Sequence, residues 1–117
     1  MGYLTTHVLD TASGKPAQNM EIQLYRVDGE HTDLMKSVIT NDDGRVDGAI
    51  LPENEFAVGV YELRFFAGDY LRAQNADLQE PLFLDIIPIR FGMAEAGSHY
   101  HVPLLVSPFS FSTYRGS

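Results

Sequence analysis

The most regular feature of the sequence is an alternation of apolar and polar side chains in short runs, which turn clusters separate about every ten residues. Residues 3–10, YLTTHVLD, would place their even-numbered side chains on one face of an extended chain and Thr5, His7 and Leu9 on the other. Residues 20–27, MEIQLYRV, and 58–66, VGVYELRFF, alternate in the same way. These runs predict β-strands that bury one face.

The remaining runs predict five further strands, at residues 34–40, 45–51, 82–94, 99–108 and 109–116. Gly48 weakens the strand at 45–51, and Pro88 indicates that the strand at 82–94 is an edge strand or has a bulge. Ser107 and Pro108 predict a tight hairpin between the last two. Residues 68–75, GDYLRAQN, are in helix-forming order and predict about two helical turns. Eight strands with one short helix after the fifth predict an all-β fold, an antiparallel β-sandwich.

Length, charge and composition exclude several classes of protein. The 117 residues contain no internal repeat and no long linker, so we expect a single domain over residues 1–117. A net charge of -8 disfavours binding to nucleic acid. No apolar run approaches the roughly 20 residues that a membrane-spanning helix needs. We expect a cytoplasmic protein, or a periplasmic one if a signal peptide has been removed. The absence of cysteine excludes disulfides and thiolate zinc sites.

The histidines are the first candidates for chemistry. His31 lies in a polar turn and is expected at the surface, whereas His7 lies mid-strand, either as a hydrogen-bonded core residue or as part of a site. His99 and His101 share one face of a strand, and with His7 they could form a zinc site with one open position. No acidic residue that could orient such ligands is evident. A serine hydrolase is disfavoured because the sequence has no G-x-S-x-G motif.

Two other features are open to more than one interpretation. Spacing alone makes Arg45, directly after NDDG, a surface arginine that balances neighbouring carboxylates. In a last strand that ran to the end of the chain, Arg115 and Ser117 would share one face, and Tyr114 and Gly116 the other. A chain that leaves the sheet near Gly116 would escape this limit. The spacing therefore leaves the direction of these side chains open.

Three segments carry a resemblance to a known family: LTTHVLDTASGKPA, TNDDGR and HYHVPLLVSPFSFSTYRGS. They resemble the transthyretin-related 5-hydroxyisourate hydrolases of purine degradation, and the resemblance continues through YELRF, GDY and PIRF. The terminal YRGS is its most specific element. The resemblance implies a transthyretin-like β-sandwich that assembles as a homotetramer, a dimer of dimers, with active sites in the channel between dimers.

The resemblance also implies the site residues. Matched motif by motif, the catalytic residues are His7, Arg45, His101 and Ser117, and the substrate-binding residues are Tyr114, Arg115 and Gly116. His99 is not among them and is expected at the rim. No metal and no cofactor are expected.

The implied reaction is hydrolysis of 5-hydroxyisourate to 2-oxo-4-hydroxy-4-carboxy-5-ureidoimidazoline in urate catabolism. One neutral histidine would take a proton from water while the other orients water or protonates the leaving nitrogen, and Arg45 would stabilise the oxyanion. Ser117 could act through its hydroxyl or its terminal carboxylate. The alternative is a non-catalytic small-molecule carrier of transthyretin type, which would need a mostly apolar channel.

Overall fold

The computed structural model describes residues 2–116, which form ten β-strands, one α-helix and one short 3₁₀-helix. The strands are β1 Tyr3–Thr5, β2 Val8–Asp10, β3 Lys15–Pro16, β4 Glu21–Asp28, β5 His31–Ile39, β6 Gly59–Phe66, β7 Ile86–Met93, β8 His99–His101, β9 Leu104–Ser107 and β10 Ser110–Thr113. The helix α1 is Ala67–Gln74, and the 3₁₀-helix is Glu53–Glu55.

One sheet has the order β5-β4-β6-β7 and is antiparallel throughout. Its inner face is built by the alternation seen in the sequence, since Tyr61, Leu63 and Phe65 are all fully buried. Pro88 lies in β7, which is an edge strand, as expected for a residue that cannot donate a backbone hydrogen bond.

The second layer contains the strands that carry the histidines. β10-β9-β2-β3 form a four-stranded sheet, and β1 pairs with β8 beside it. The pairs β1–β8 and β2–β9 are parallel, whereas the others in this layer are antiparallel. Pro103 interrupts β8–β9, but Val102 N donates to Thr5 O (3.0 Å) and Leu104 N donates to His7 O (2.9 Å) across the break. The first and last segments of the chain therefore run side by side.

The core lies between the two layers, and α1 packs against it. The helix follows β6 directly and buries Tyr70 and Leu71. The Tyr70 hydroxyl donates to Asp10 Oδ2 at 2.7 Å, and Asp10 Oδ1 accepts from two backbone N–H groups of the following turn. This bonding satisfies a carboxylate that is only 4% exposed.

The all-β prediction and the helix after the long central strand are confirmed, and the count of eight strands becomes ten. The predicted antiparallel pairing is corrected at β1–β8 and β2–β9, which are parallel. Two predicted strands are each divided, at residues 6–7 and 102–103, and the short β3 was not predicted. The strand predicted at 45–51 is wrong. In that segment Arg45 forms an isolated bridge to His7, and Leu51 forms one to Leu4. Gly48, between them, has a φ of +75°, which interrupts extended pairing.

None of the helices within residues 2–116 has both the length and the apolar character needed to cross a membrane.

Candidate active site

His7 and His101 meet on the outer face of the second layer. Residues 4, 6, 8 and 10 point into the core, so His7 points outward, and the parallel pairing of β1 with β8 places His101 on the same face. His7 Nδ1 lies 2.7 Å from His101 Nε2, and the two ring centroids are 4.8 Å apart. One ring therefore donates an N–H to the other.

Both imidazoles are held neutral at neutral pH. Partial burial lowers the pKa of His7, and the nearby Arg45 guanidinium lowers it further. The pKa of His101 falls to about 4, first through burial and then through unfavourable electrostatic interactions with His7, Arg45 and His99 as His101 takes up a proton. A neutral imidazole has an unprotonated ring nitrogen that can accept a proton.

Arg45 reaches this pair because a tight turn places it there. Asn41 Oδ1 accepts hydrogen bonds from Asp43 N at 2.9 Å and from Arg45 N at 3.1 Å. Gly44, at a φ of +71°, closes the turn, and its carbonyl accepts from Val8 N at 2.8 Å. Arg45 then bridges His7 through the backbone. The NDDGR sequence thus places a guanidinium beside two imidazoles.

The end of the chain contacts the site through Gly116. Its N–H donates to His101 O at 2.7 Å, and a Cβ at this position would lie 2.9 Å from His101 Cδ2, so only glycine fits without a shift. The Arg115 guanidinium lies 4.1 Å from the centroid of the Tyr100 ring, which faces the core, opposite to the imidazoles. Tyr114 is 54% exposed. Ser117 lies outside the described residues.

The structure therefore brings together His7, Arg45, His101 and Gly116 from the predicted set, and Arg115 is directed elsewhere in the single chain. The roles of all seven predicted residues stay predictions. His31 is at the surface as expected, with its exposed side chain placing Nε2 at 2.8 Å from Asp33 Oδ1.

Thr5 is a site residue that sequence reasoning missed. Its Oγ1 lies 2.6 Å from His101 Nδ1 and 2.6 Å from His99 Nε2. The alternation that places Thr5 and His7 on one face could have indicated it. His99, expected at the rim, is joined to His101 through this hydroxyl.

The three histidines are arranged as a hydrogen-bonded series rather than around a common point. His101 has both ring nitrogens within hydrogen-bond distance of a partner. Within residues 2–116 no group of three or more His, Cys, Asp or Glu side chains is placed to hold a metal ion. The facing nitrogens of His7 and His101 are therefore suited to proton transfer in this arrangement.

Comparison with known proteins supports the resemblance found in the sequence. The model of the HIUase/Transthyretin family matches residues 4–116. The chain is 64% identical over 116 residues to the 5-hydroxyisourate hydrolase of Mesorhizobium japonicum, covering 99% of this chain and 93% of that protein.

The fold is also found in solved structures of other proteins. The Klebsiella pneumoniae 5-hydroxyisourate hydrolase is 29% identical with a TM-score of 0.78, over 100% of this chain and 94% of that one. An (S)-allantoin synthase is 50% identical with a TM-score of 0.91, over 99% of this chain but only 44% of that one. The protein described here is thus a member of the HIUase/Transthyretin family.

Proposed function

We propose that this protein hydrolyses 5-hydroxyisourate to 2-oxo-4-hydroxy-4-carboxy-5-ureidoimidazoline, a step of urate catabolism. The observation that carries the proposal is the hydrogen bond between two imidazoles of lowered pKa beside a guanidinium, on an open sheet face. The name of the Mesorhizobium relative, a 5-hydroxyisourate hydrolase with 64% identity, supports the choice of substrate.

The histidine pair supplies the proton transfers of a ring-opening hydrolysis. A neutral imidazole takes a proton from water as the water oxygen bonds to the ring carbonyl carbon. The carbon–nitrogen bond then breaks, and the proton returns to the leaving nitrogen, so that a carboxyl group and an N–H are formed. Two directly bonded rings can share these steps, because one accepts a proton while the other keeps its N–H oriented.

Arg45 stabilises the charge that develops during this addition. As water adds, the carbonyl oxygen gains negative charge, and a fixed guanidinium favours the transition state over the ground state. The two parallel N–H groups of Arg45 also match the urea-like edge of the substrate, which a lysine cannot reproduce.

The C-terminal residues complete the pocket in this proposal. Gly116 allows the backbone to lie directly against the His101 ring. Tyr114 and Arg115 contact the substrate, which requires Arg115 to leave the Tyr100 ring or to act across a subunit boundary. The catalytic role of Ser117 stays a prediction, because this residue lies outside the described residues.

Substitution of the three charged or titratable groups tests the proposal. The assay follows the absorbance of 5-hydroxyisourate, freshly generated by a urate oxidase, as it decays with and without the protein. His7→Gln, His101→Gln and Arg45→Lys should each lower kcat/KM by about 10²-fold or more. His31→Gln is the matched control because it removes an exposed histidine. Wild-type protein that does not accelerate the decay would refute the function, whereas wild-type rates in all three variants would refute only the site.

We also propose that the protein is a homotetramer with its sites between dimers. The histidine face is uncovered in the single chain, all four residues of the edge strand β10 are exposed, and Phe109 beside it is 71% exposed. An exposed edge strand and exposed apolar side chains are typical of a surface that another subunit covers. Sedimentation should give four times the 13.0 kDa chain mass, and specific activity should fall when dilution separates the dimers. A fully active monomer would contradict this assembly.

The cytoplasmic location stays a prediction.

A further inference from the structure

The hydrogen bonds of the site continue beyond the two histidines. Thr5 lies between His101 and His99, and its hydroxyl oxygen is 2.6 Å from a ring nitrogen of each. Together with the bond between His101 and His7 at 2.7 Å, these contacts form one series of four side chains. The proposed reaction uses only His7 and His101 of this series.

The strand register fixes this series. In the parallel pair β1–β8, Thr5 lies opposite His101 and Tyr3 lies opposite His99, so all four side chains share one face. The His99 ring stacks on the Tyr3 ring at a centroid distance of 4.1 Å and an interplanar angle of 10°. Stacking orients His99 so that its Nε2 meets the Thr5 hydroxyl.

A hydroxyl has a single proton, and this couples the tautomers of the rings. If Thr5 donates to His99, it accepts from His101 Nδ1–H. His101 Nε2 is then unprotonated and accepts from His7 Nδ1–H, which leaves His7 Nε2 with a free lone pair. If Thr5 donates to His101 instead, every bond reverses and His7 Nε2 carries a proton. The direction of one hydroxyl thus decides whether His7 is a base or an acid.

We propose that Thr5 is a positioning residue that, together with His99, sets the direction of this hydrogen-bond series and conducts the proton taken from water to His99. The proposal rests on the hydrolase function proposed above. It differs from the predicted site, in which Thr5 has no role and His99 lies at the rim.

The proton transfers balance along the series. His7 Nε2 takes a proton from the attacking water, and His7 Nδ1 passes its proton to His101 Nε2. His101 Nδ1 passes its proton to the Thr5 oxygen, whose own proton moves to His99 Nε2. The positive charge ends on His99, and reversal of the same steps returns a proton through His7 to the leaving nitrogen.

The surroundings favour His99 as the end of this path. Burial and the Arg45 charge lower the pKa of both His7 and His101, so a positive charge is disfavoured on either ring. His99 instead lies against the face of Tyr3, where an imidazolium gains a cation–π interaction. Among residues 2–116, the titratable or charged groups that act electrostatically on His101 are His7, Arg45 and His99. Tyr3 contacts the ring of His99.

The test compares Thr5→Val, which removes the hydroxyl at constant shape, with Thr5→Ser, which keeps it. Thr5→Val should lower kcat about 10- to 100-fold with little change in KM, because substrate contacts are kept and proton transfer is impaired. Thr5→Ser should restore most of the activity. Thr11→Val is the matched control, since the Thr11 hydroxyl donates to a backbone carbonyl (3.2 Å) outside the site.

A second measurement separates positioning from structural support. Nitrogen-15 spectra of the four labelled histidines report which ring nitrogens are protonated and at what pH each ring titrates. In Thr5→Val the tautomer ratio and the titration midpoint of His101 should change, and they should not change in Thr11→Val.

Each outcome decides the proposal. Active wild-type protein with unchanged kcat and unchanged His101 spectra in Thr5→Val would overturn it. Reduced kcat in Thr5→Val without rescue by Thr5→Ser, and without a spectral change, would also overturn it in favour of a structural role. If wild-type protein does not hydrolyse 5-hydroxyisourate, the function fails, and the spectra of the free protein still decide whether Thr5 sets the His101 tautomer.

Discussion

The low pKa of His101 predicts that mild acid destabilises the protein through this one side chain. The group titrates at about 4 in the folded protein and near its ordinary 6.5 in the unfolded chain. Between these values the unfolded chain binds more protons than the folded one, so stability is full above pH 6.5 and falls as the pH falls towards 4. Below pH 4 this group causes no further loss.

The size of the effect follows from the two pKa values. At pH 5, one group with these values would favour unfolding by about 2 kcal/mol relative to neutral pH. His101 is only partly withdrawn from solvent on an open face, and screening by water reduces this to about 1 kcal/mol. The pKa of His7 is also lowered, so His7 contributes in the same direction.

Urea unfolding of wild-type protein and His101→Gln at pH 7, 6 and 5 measures this loss. Glutamine is chosen because its side chain can form hydrogen bonds but does not titrate. The protein concentration is held fixed because subunit association changes the apparent stability. The free energy of unfolding should fall from pH 7 to pH 5 by about 1 kcal/mol more in wild type than in His101→Gln. Equal losses, or a smaller loss in wild type, would refute the argument that His101 is neutral in the folded protein.

Four further predictions concern the core, the site wall and metal dependence. Tyr70→Phe removes the hydroxyl that bonds the buried Asp10 carboxylate and should cost about 1.5–3 kcal/mol in urea unfolding; a loss below 0.5 kcal/mol would contradict it. Glu62→Gln replaces the 6%-exposed carboxylate that two arginine guanidiniums share with a neutral amide that has one acceptor oxygen. It should cost about 1–3 kcal/mol by the same measurement. In Gly116→Ala the new methyl group should displace the His101 ring and lower kcat/KM about tenfold or more. The free energy of unfolding should stay within about 0.5 kcal/mol of the wild-type value. Unchanged kinetics would show that the segment containing Gly116 does not line the site. Exhaustive chelation should leave the activity unchanged, and bound zinc that tracks activity would revive the metal site considered from the sequence.

Period-two alternation was sufficient to predict most of the fold. It identified the long strands and the buried face of β6, because a half-buried strand must alternate whatever it pairs with. It failed at residues 45–51, where apolar residues are buried without regular pairing. It also could not show that the first and last segments pair in parallel, since register depends on contacts almost one hundred residues apart.

The candidate site was predictable to different extents. Spacing alone gave His99 and His101 a common face. The meeting of His101 with His7 depends on the parallel register and was implied only by the family resemblance. Arg45 was a surface arginine by spacing, and only the turn that begins at Asn41 shows why it lies beside His7. Thr5 was missed because a threonine in a strand is common, and its role depends on the nitrogen atoms on either side of it.

The same strands build both the core and the site, and their alternation keeps the two apart. In β1 and the residues that follow, Leu4 and Val8 are buried between the layers, while Thr5 and His7 point to the open face. A change on the open face therefore leaves the packing of the core intact, and for this reason kinetic and stability effects of site substitutions can be separated in this fold. The exception is a group whose protonation differs between the folded and unfolded states. His101 is such a group, and it links acid stability to the chemistry of the site.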